Sequence, residues 1–341
     1  MSRKEKKKVK NKSKTGLIVW ICIILLIIII AGVFVGSFIS GRLSNLSFVN
    51  LNKEELSVNE ELYSSISDLL TKSEFKNVKK IVLFGIDSMC PEFEGDEGRS
   101  DSIIIAVLNP KYKKIKLISI PRDTYAQIPG IGKYKINHAY SNGKESLAIK
   151  TINENFGLDI TEYVTIDFAG LIHIINELGG IELTISKQEQ EFINLDSGLA
   201  YEISGRKKAK LSSYGVVTLD GEQALTHSRN RAVGDDFVRA ERQRAILEAI
   251  FKKLSESEFS ELTEKIDLFL GEVTTNVNIA KYIGTMFELL MNKDDYLNNI
   301  SSVQVPKAEY ATGEYIKGVY YFVPSDTNKM KKDMITEIYG E

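Results

Sequence analysis

Residues 114–123 read Lys-Ile-Lys-Leu-Ile-Ser-Ile-Pro-Arg-Asp, a strand-like pattern that ends in two opposite charges. Similar short runs, rich in Ile and Val and bounded by Gly, Pro or Asp, occur at 81–86 and 102–108. Runs of this kind are typical of buried strands in an α/β sheet. Because charged residues stand at one end of each run, we expect them to meet at one edge of the sheet, where open α/β sheets bind ligands.

Further helix and strand patterns follow these runs. Between Tyr163 and Ile185, a strand, a helix ended by Gly179-Gly180 and a second strand form a predicted βαβ unit, in which parallel pairing is expected. Residues 187–215 show no clear period and predict a long surface excursion or a lid. The other predicted elements are helices at 146–156, from the capping box 220–223 through His227, at 237–255, 261–271 and 279–291, and strands at 301–306 and 319–323.

The N-terminal region predicts a membrane anchor. Residues 1–14 contain eight Lys or Arg against one Glu, and residues 15–41 carry no charged side chain. This uncharged segment is long enough to cross the membrane once as a helix. The positive-inside rule places the basic tail 1–14 in the cytoplasm and the remainder outside. We therefore predict an anchor at 15–41, a partly helical extracytoplasmic stalk at 42–78, and a domain at 79–341.

Charge and cysteine content exclude several classes of protein. The tail holds eight of the 44 basic and one of the 46 acidic residues, which leaves 36 basic and 45 acidic residues, a net charge of −9, on the rest of the chain. An acidic domain of this kind is a poor binder of nucleic acid. Cys22 lies in the predicted anchor, so Cys90 has no disulfide partner outside and no Cys-based zinc site is possible. Cys90 as a nucleophile is disfavoured because its acidic surroundings would raise its pKa.

Two carboxylates are candidate metal ligands. Asp87 ends the first predicted strand and Asp101 immediately precedes the second, so the two could reach one hard cation. Magnesium favours one or two carboxylates together with phosphate oxygens and water. The alternative is structural, with Asp87 capping a turn and Asp101 pairing with Arg99.

Arginines supply the complementary charge, because a planar guanidinium binds two phosphate oxygens at once and stays charged. Arg239 falls in the first turn of the long predicted helix, where the helix dipole disfavours a cation, so either Asp236 or a bound phosphate would compensate it. Gln243 lies one turn further along the same face. The candidate phosphate ligands are Arg99, Arg122, Arg229, Arg231 and Arg239.

Histidines offer weaker candidates. His138 and His227 are interpreted as hydrogen-bonded scaffold, with an acid/base role as the alternative, and His173 as a packing residue in an apolar helix. The chain has no Walker loop, nucleophile elbow or metalloprotease helix motif, which argues against the corresponding kinase and hydrolase classes.

These motifs together resemble the LytR-CpsA-Psr family, over about residues 79–255. The resemblance rests on their order along the chain: Leu83-Phe-Gly-Ile-Asp87, Arg99-Ser-Asp101, Ile118-Ser-Ile-Pro-Arg-Asp123, Lys135-Ile-Asn-His-Ala-Tyr140, Leu219-Asp-Gly-Glu-Gln-Ala224, Arg229-Asn-Arg231 and residues 236–243. It implies an α/β fold, a three-layer α-β-α sandwich with a central mixed sheet, preceded by one transmembrane helix.

The resemblance also implies an activity. Members of the family move a glycopolymer, such as a teichoic acid or a capsule, from a polyprenyl-(pyro)phosphate carrier to a muramic-acid hydroxyl of peptidoglycan. Asp87 and Asp101 would then hold magnesium, Asp236 would be the base, and the pyrophosphate would be held by Arg99, Arg122, Arg229, Arg231, Arg239 and Gln243. The alternatives are a membrane-bound regulator of cell-wall gene expression, and a lipid-pyrophosphate binder or pyrophosphatase without transfer activity. A regulator is disfavoured because the 14 cytoplasmic residues contain no helix-turn-helix.

Overall fold

The computed structural model describes residues 47–48, 51, 56, 77–87, 98–196, 198–230, 232–234, 236–256, 271–278, 282, 284–285, 288–289 and 291–340. The predicted tail and anchor, residues 1–41, and Cys90 lie outside these ranges, as do most residues of the helices predicted at 261–271 and 279–291. Among the described residues, no helix has the length and apolar character needed to cross a bilayer.

A seven-stranded mixed sheet forms the centre of the domain, as the sequence predicted. Its order is β1-β10-β7-β2-β3-β4-β11, and β3 runs antiparallel to both of its neighbours. These strands are β1 (Ser47–Phe48), β2 (Lys79–Asp87), β3 (Arg99–Asn109), β4 (Lys114–Ser119), β7 (Glu162–Asp167), β10 (Thr274–Thr275) and β11 (Ile300–Gln304). Two-stranded antiparallel sheets are formed by β5 (Tyr125–Ile128) with β6 (Gly132–Lys135), β8 (Ile181–Ile185) with β9 (Gly215–Leu219), and β12 (Ala311–Ile316) with β13 (Val319–Pro324).

Helices cover both faces of the central sheet. The helices within the described residues are α1 (His138–Phe156), α2 (Phe168–Glu177), α3 (Lys187–Leu195), α4 (Leu199–Ser204), α5 (Gly221–Ser228), α6 (Asp236–Ser255), α7 (Lys293–Leu297) and α8 (Thr327–Tyr339). Successive residues of a strand face opposite sides of the sheet. Val82 and Phe84 of β2 accordingly pack into the largest core with α1 and α8, whereas Leu83 and Gly85 face α2 and α6. The result is the predicted α-β-α sandwich.

The predicted βαβ unit is wrong in its pairing. Strand β8 does not join β7 in the central sheet but pairs antiparallel with β9, with Ile181 opposite Leu219. Its residues alternate strictly between buried and exposed, as in a sheet with one solvated face, whereas the central strand β3 buries three consecutive residues, Ile103 to Ile105. This alternation is visible in the sequence and was the signal for a separate sheet.

The region 187–215 also differs from its prediction. Its first part forms α3 and α4, and α3 begins at a complete capping box in which Ser186 and Glu189 bond each other's backbone. Among its described residues, only Asp196, Gly198 and the stretch 205–214 lie outside helices and strands. The segment 42–78, predicted as a stalk, contributes strand β1 and the fully buried Leu56 to the domain, because its apolar residues pack into the main core.

Candidate functional site

A β-bulge places Asp101 at the edge of the central sheet. Gly85 pairs with Ser102 and Ile86 with Ser100, so Asp101 is the extra residue of strand β3. Bulges re-aim side chains and are frequent beside active sites. A Cβ on Gly85 would lie 2.9 Å from the Cβ of Ser102, so the close approach of β2 and β3 requires glycine.

Asp101 organises the polar groups around it. Its carboxylate accepts a hydrogen bond of 2.7 Å from Nη1 of Arg122 and one of 3.4 Å from Nδ2 of Asn137. Nη2 of Arg239 donates to the backbone oxygen of Asp101 at 3.3 Å. Two predicted phosphate ligands, one after β4 and one on α6, therefore converge on one bulged residue.

The next charges complete this edge of the sheet. Asp87 ends β2, pairs with Arg99 in the β2–β3 ladder, and lies 3.8 Å from Nη2 of Arg229. The guanidinium of Arg229 also lies 5.1 Å from the ring centroid of Phe168, a cation–π contact. The sequence-based expectation that strand ends bring these charges to one edge is confirmed.

A cavity of about 400 Å³ opens beside these residues, between the sheet and the helices α2, α3, α4, α5 and α6. Its charged and polar lining includes Asp101, Arg229, Arg239 and Gln243. Much of its lining is apolar and includes Leu83, Ile104, Ile166, Phe168, Leu225 and Leu247. The combination of arginines with an apolar wall suits an amphipathic ligand whose head is anionic.

Asp87 and Asp101 fit a magnesium ion by their chemistry. Both are partly buried carboxylates on neighbouring strands, and magnesium needs only one or two carboxylates when phosphate oxygens and water complete its shell. The described residues contain no group of three or more His, Cys, Asp or Glu side chains arranged around a metal position. Asp87 and Asp101 could therefore hold such an ion only together with phosphate oxygens and water.

Arg242, which the sequence analysis did not single out, fixes the loop between α5 and α6. Its guanidinium, almost fully buried, donates to Glu189 at 2.8 Å, to the backbone oxygen of Asn230 at 3.0 Å and to that of Val233. Burial raises the pKa of Glu189, but hydrogen bonds from Ser186 and Arg242 outweigh it and hold that pKa below its ordinary value. The hydrogen bonds from Arg242 hold Asn230 and Val233, in the loop that follows Arg229, against α6.

We expect Arg242→Lys to lower the free energy of unfolding by about 1–3 kcal/mol, because a lysine cannot replace three contacts made by one planar group. Thermal unfolding monitored by circular dichroism measures the loss. Arg206→Lys is the matched control, since Arg206 forms a single ion pair with Glu222 and is more than half exposed. Equal unfolding temperatures for the two variants would contradict the assignment.

His227 lies buried beside this network. Burial lowers its pKa to about 4, with Glu189 opposing the shift and Arg242 reinforcing it. The folded protein therefore keeps His227 neutral, as expected for a scaffold residue, while the unfolded chain takes up a proton below about pH 6.5. The resulting stability is complete above about pH 6.5 and is lost as the pH falls towards 4.

We expect the unfolding free energy to fall by up to roughly 3 kcal/mol between pH 7 and pH 4 on account of His227. In His227→Gln this part of the pH dependence should disappear, because glutamine does not titrate. Urea unfolding at several pH values measures it. A slope unchanged in His227→Gln would refute the role given to burial.

The other predicted residues divide into three groups. Arg231 and the side chain of Asp236 lie outside the described residues. His173 was wrongly interpreted as a packing residue: its ring is about half exposed and lies 2.5 Å from Glu272 and 3.7 Å from Glu177. His138 lies at the start of α1 with its ring 4.6 Å from that of Tyr134.

The structure adds residues that the sequence analysis did not assign to the site. Asn137 and Lys135 lie in the quoted motif 135–140 and contact Asp101 and Asp123, the latter at 2.6 Å. Asp123 is buried, so its charge is balanced by Lys135 and Arg122 within the scaffold. The motif 135–140 was the only sequence feature that pointed to these two residues. Its spacing did not indicate that Asn137 would contact Asp101 or that Lys135 would contact Asp123.

The α/β sandwich thus brings arginines and two carboxylates beside a partly apolar cavity, the arrangement expected of proteins that bind a ligand with an anionic head and an apolar tail. The model of the LytR_cpsA_psr family matches residues 46–336. The chain belongs to this family.

Several characterised proteins are similar to the chain. A polyisoprenyl-teichoic acid–peptidoglycan teichoic acid transferase, TagU of Bacillus cereus (strain AH820), is 32% identical over 279 residues, which cover 80% of this chain and 83% of the relative. The crystal structure of B. subtilis TagV superposes with a TM-score of 0.62 at 30% identity, covering 77% of this chain and 98% of that one. The LytR-CPS2A-psr family protein YwtF (TagT) with bound octaprenyl pyrophosphate lipid superposes with a TM-score of 0.57 at 27% identity, covering 78% and 92%.

Proposed function

We propose that the chain is a phosphotransferase that moves a glycopolymer, a teichoic acid, a capsule or a similar polymer, from a polyprenyl-pyrophosphate carrier to a muramic-acid hydroxyl of peptidoglycan. The observation that carries this proposal is the cavity of about 400 Å³, whose lining joins arginines to an apolar wall. A polyprenyl chain fits the apolar wall, and its pyrophosphate fits the guanidiniums. The name of TagU and the lipid bound in YwtF agree with this assignment.

In the reaction, the hydroxyl oxygen of a muramic acid attacks the phosphorus that bears the glycopolymer. A new oxygen–phosphorus bond forms, the bond to the bridging oxygen breaks, and polyprenyl phosphate leaves. Asp236 takes the hydroxyl proton as general base. The charge that develops on the phosphoryl and leaving oxygens is stabilised by arginines, with Gln243 in support. These arginines are Arg99, Arg122, Arg229, Arg231 and Arg239.

Magnesium is part of this proposal. Asp87 and Asp101 would hold it, and it would supply positive charge to the pyrophosphate oxygens. Arg122 donates to Asp101, and Arg229 lies near Asp87, so the same carboxylates that would bind the cation also orient two of the phosphate ligands.

The location follows from the substrates. Residues 15–41 would anchor the chain in the cell membrane with the tail 1–14 in the cytoplasm, and the domain would act outside, where peptidoglycan and the lipid carrier meet. The proposed partners are thus the lipid-linked polymer, peptidoglycan and the bilayer, and nucleic acid is not among them.

Incubation of the full-length protein with lipid-linked polymer, peptidoglycan fragments and magnesium tests the proposal. We expect polymer to become linked to the fragments, with one polyprenyl phosphate released for each linkage. Cleavage of the carrier without a peptidoglycan product would instead establish a pyrophosphatase. Binding of the carrier without either product would establish a lipid-pyrophosphate binder.

A further inference from the structure

An exposed basic segment stands out on a domain of opposite charge. Residues 206–210 read Arg-Lys-Lys-Ala-Lys, and all five are exposed. No Asp or Glu occurs between Glu202 and Asp220, whereas the chain after its basic tail carries a net charge of −9. Among the described residues, no carboxylate forms an ion pair with Lys207 or Lys210. Their charge is therefore available to an anionic partner.

The basic segment is attached to the wall of the cavity. Nζ of Lys208 donates to the backbone oxygen of Asp196, and the hydroxyl of Tyr201 donates to the backbone oxygen of Ala209 at 3.2 Å. Asp196 lines the cavity, as do Phe192 of α3 and Leu199 of α4. The basic segment therefore lies on the outer side of α3 and α4, the helices that form this part of the cavity wall.

The same wall presents an exposed apolar side chain. Leu195 ends helix α3 and is 83% exposed, although its neighbours Phe192 and Asp196 line the cavity. A large apolar side chain beside a group of lysines is typical of surfaces that enter the headgroup region of an anionic bilayer, where the apolar group inserts and the cations meet lipid phosphates. A soluble polyanion would satisfy the lysines but would leave Leu195 in water.

We propose that Leu195 and the basic segment 206–210 form a docking face that binds the surface of an anionic lipid bilayer. Docking would bring the wall formed by α3 and α4 against the headgroups, so that a polyprenyl chain could pass between the membrane and the cavity with little exposure to water. The reason for docking rests on the proposed function, but the binding of lipid itself does not require catalysis.

The test uses the full-length chain in nanodiscs, with Cys22 and Cys90 replaced by Ser and Leu195→Cys carrying an environment-sensitive fluorophore. In nanodiscs of phosphatidylglycerol we expect the fluorescence emission to shift to the blue and to be quenched by nitroxide-labelled lipids. We expect neither effect in nanodiscs of phosphatidylcholine, nor in phosphatidylglycerol nanodiscs at about 0.5 M salt. The fluorophore on Tyr315→Cys is the positional control, because Tyr315 is 77% exposed on the hairpin β12–β13.

Reversal of two charges tests the lysines. In Lys207→Glu/Lys210→Glu we expect the ratio of docked to undocked protein to fall by at least about 25-fold, since each lysine near an anionic surface contributes a factor of about five. The matched control, Lys317→Glu/Lys332→Glu, makes the same change of charge at two other exposed lysines and should keep docking.

Three outcomes would overturn the proposal. One is absence of quenching at position 195 in anionic discs, and a second is equal quenching in both charge-reversed variants. The third is binding of soluble polyphosphate that depends on Lys207 and Lys210 without any lipid quenching, which would make the partner an anionic polymer. The docking assay contains no donor or acceptor substrate, so its result does not depend on the proposed function. Failure of the separate transfer assay, with docking intact, would count against the proposed function alone.

Discussion

Arg239→Lys is expected to lower the rate of polymer transfer by roughly 30- to 1,000-fold. Arg239 is 6% exposed, lines the cavity and donates to the backbone of Asp101, so its guanidinium is fixed before a ligand arrives. A bidentate contact in such a dry site is worth about 2–4 kcal/mol in the transition state, by analogy with the loss of one oxyanion donor. Lysine keeps the charge but loses the planar fork. Transfer rate and affinity for the lipid carrier are the measurements.

Arg244→Lys supplies the control on the same helix. Arg244 has the same exposure of 6% but does not line the cavity, and burial lowers its pKa. This change should alter the unfolding temperature and leave the transfer rate per folded molecule as it was. If Arg239→Lys folds normally and keeps full rate and affinity, Arg239 belongs to the scaffold.

Asp101→Asn is expected to reduce magnesium-dependent transfer by roughly 100-fold or more, because it removes one proposed ligand of the metal and one partner that orients Arg122. The unfolding free energy should change by only about 1 kcal/mol, since asparagine is of the same size and Arg122 and Asp101 are partly exposed. Initial rates across a magnesium titration separate a loss of metal affinity from a loss of rate.

Asp167→Asn is the matched control for that experiment. Asp167 is also a carboxylate of the cavity lining, but it caps α2 by accepting from the backbone N–H of Gly170, a role that asparagine performs equally well. Its magnesium response should equal that of the parent. Transfer that is equally fast with a chelator and with magnesium would remove the metal from the mechanism.

The central strands could be predicted because buried strands have short, nearly continuous apolar sequences. Strands β2 and β3 contain the runs predicted for them, and β4 covers the first six residues of the pattern at 114–123. The capping box at Asp220 opens α5 as expected. The partner of a strand is not encoded locally, because pairing depends on distant residues. For this reason β8 was assigned to the wrong sheet, although its own boundaries were predicted correctly.

The candidate site was predicted in its composition but not in its contacts. The charges around Asp101 come together because the ends of β2 and β4 and the start of β3 share an edge, which follows from topology. The bulge that makes Asp101 the extra residue, by contrast, appears only in the register of β3 against β2. Arg242 was passed over for a similar reason, since its three acceptors lie on α3 and on the loop after α5.

The cavity lies where three separate apolar clusters meet. Phe84 belongs to the core between the sheet and α1, Ile246 to the core under β8 and β9, and Phe168 and Leu225 to a small cluster between them. Different parts of a protein open locally with different free energies, so we expect the three clusters to differ in their opening in the absence of a ligand. A lipid bound in the cavity contacts all three clusters, so we expect the clusters to unfold locally as one cooperative unit when the lipid is bound. Amide hydrogen exchange in α2 and β8 should then slow together with exchange in the central sheet.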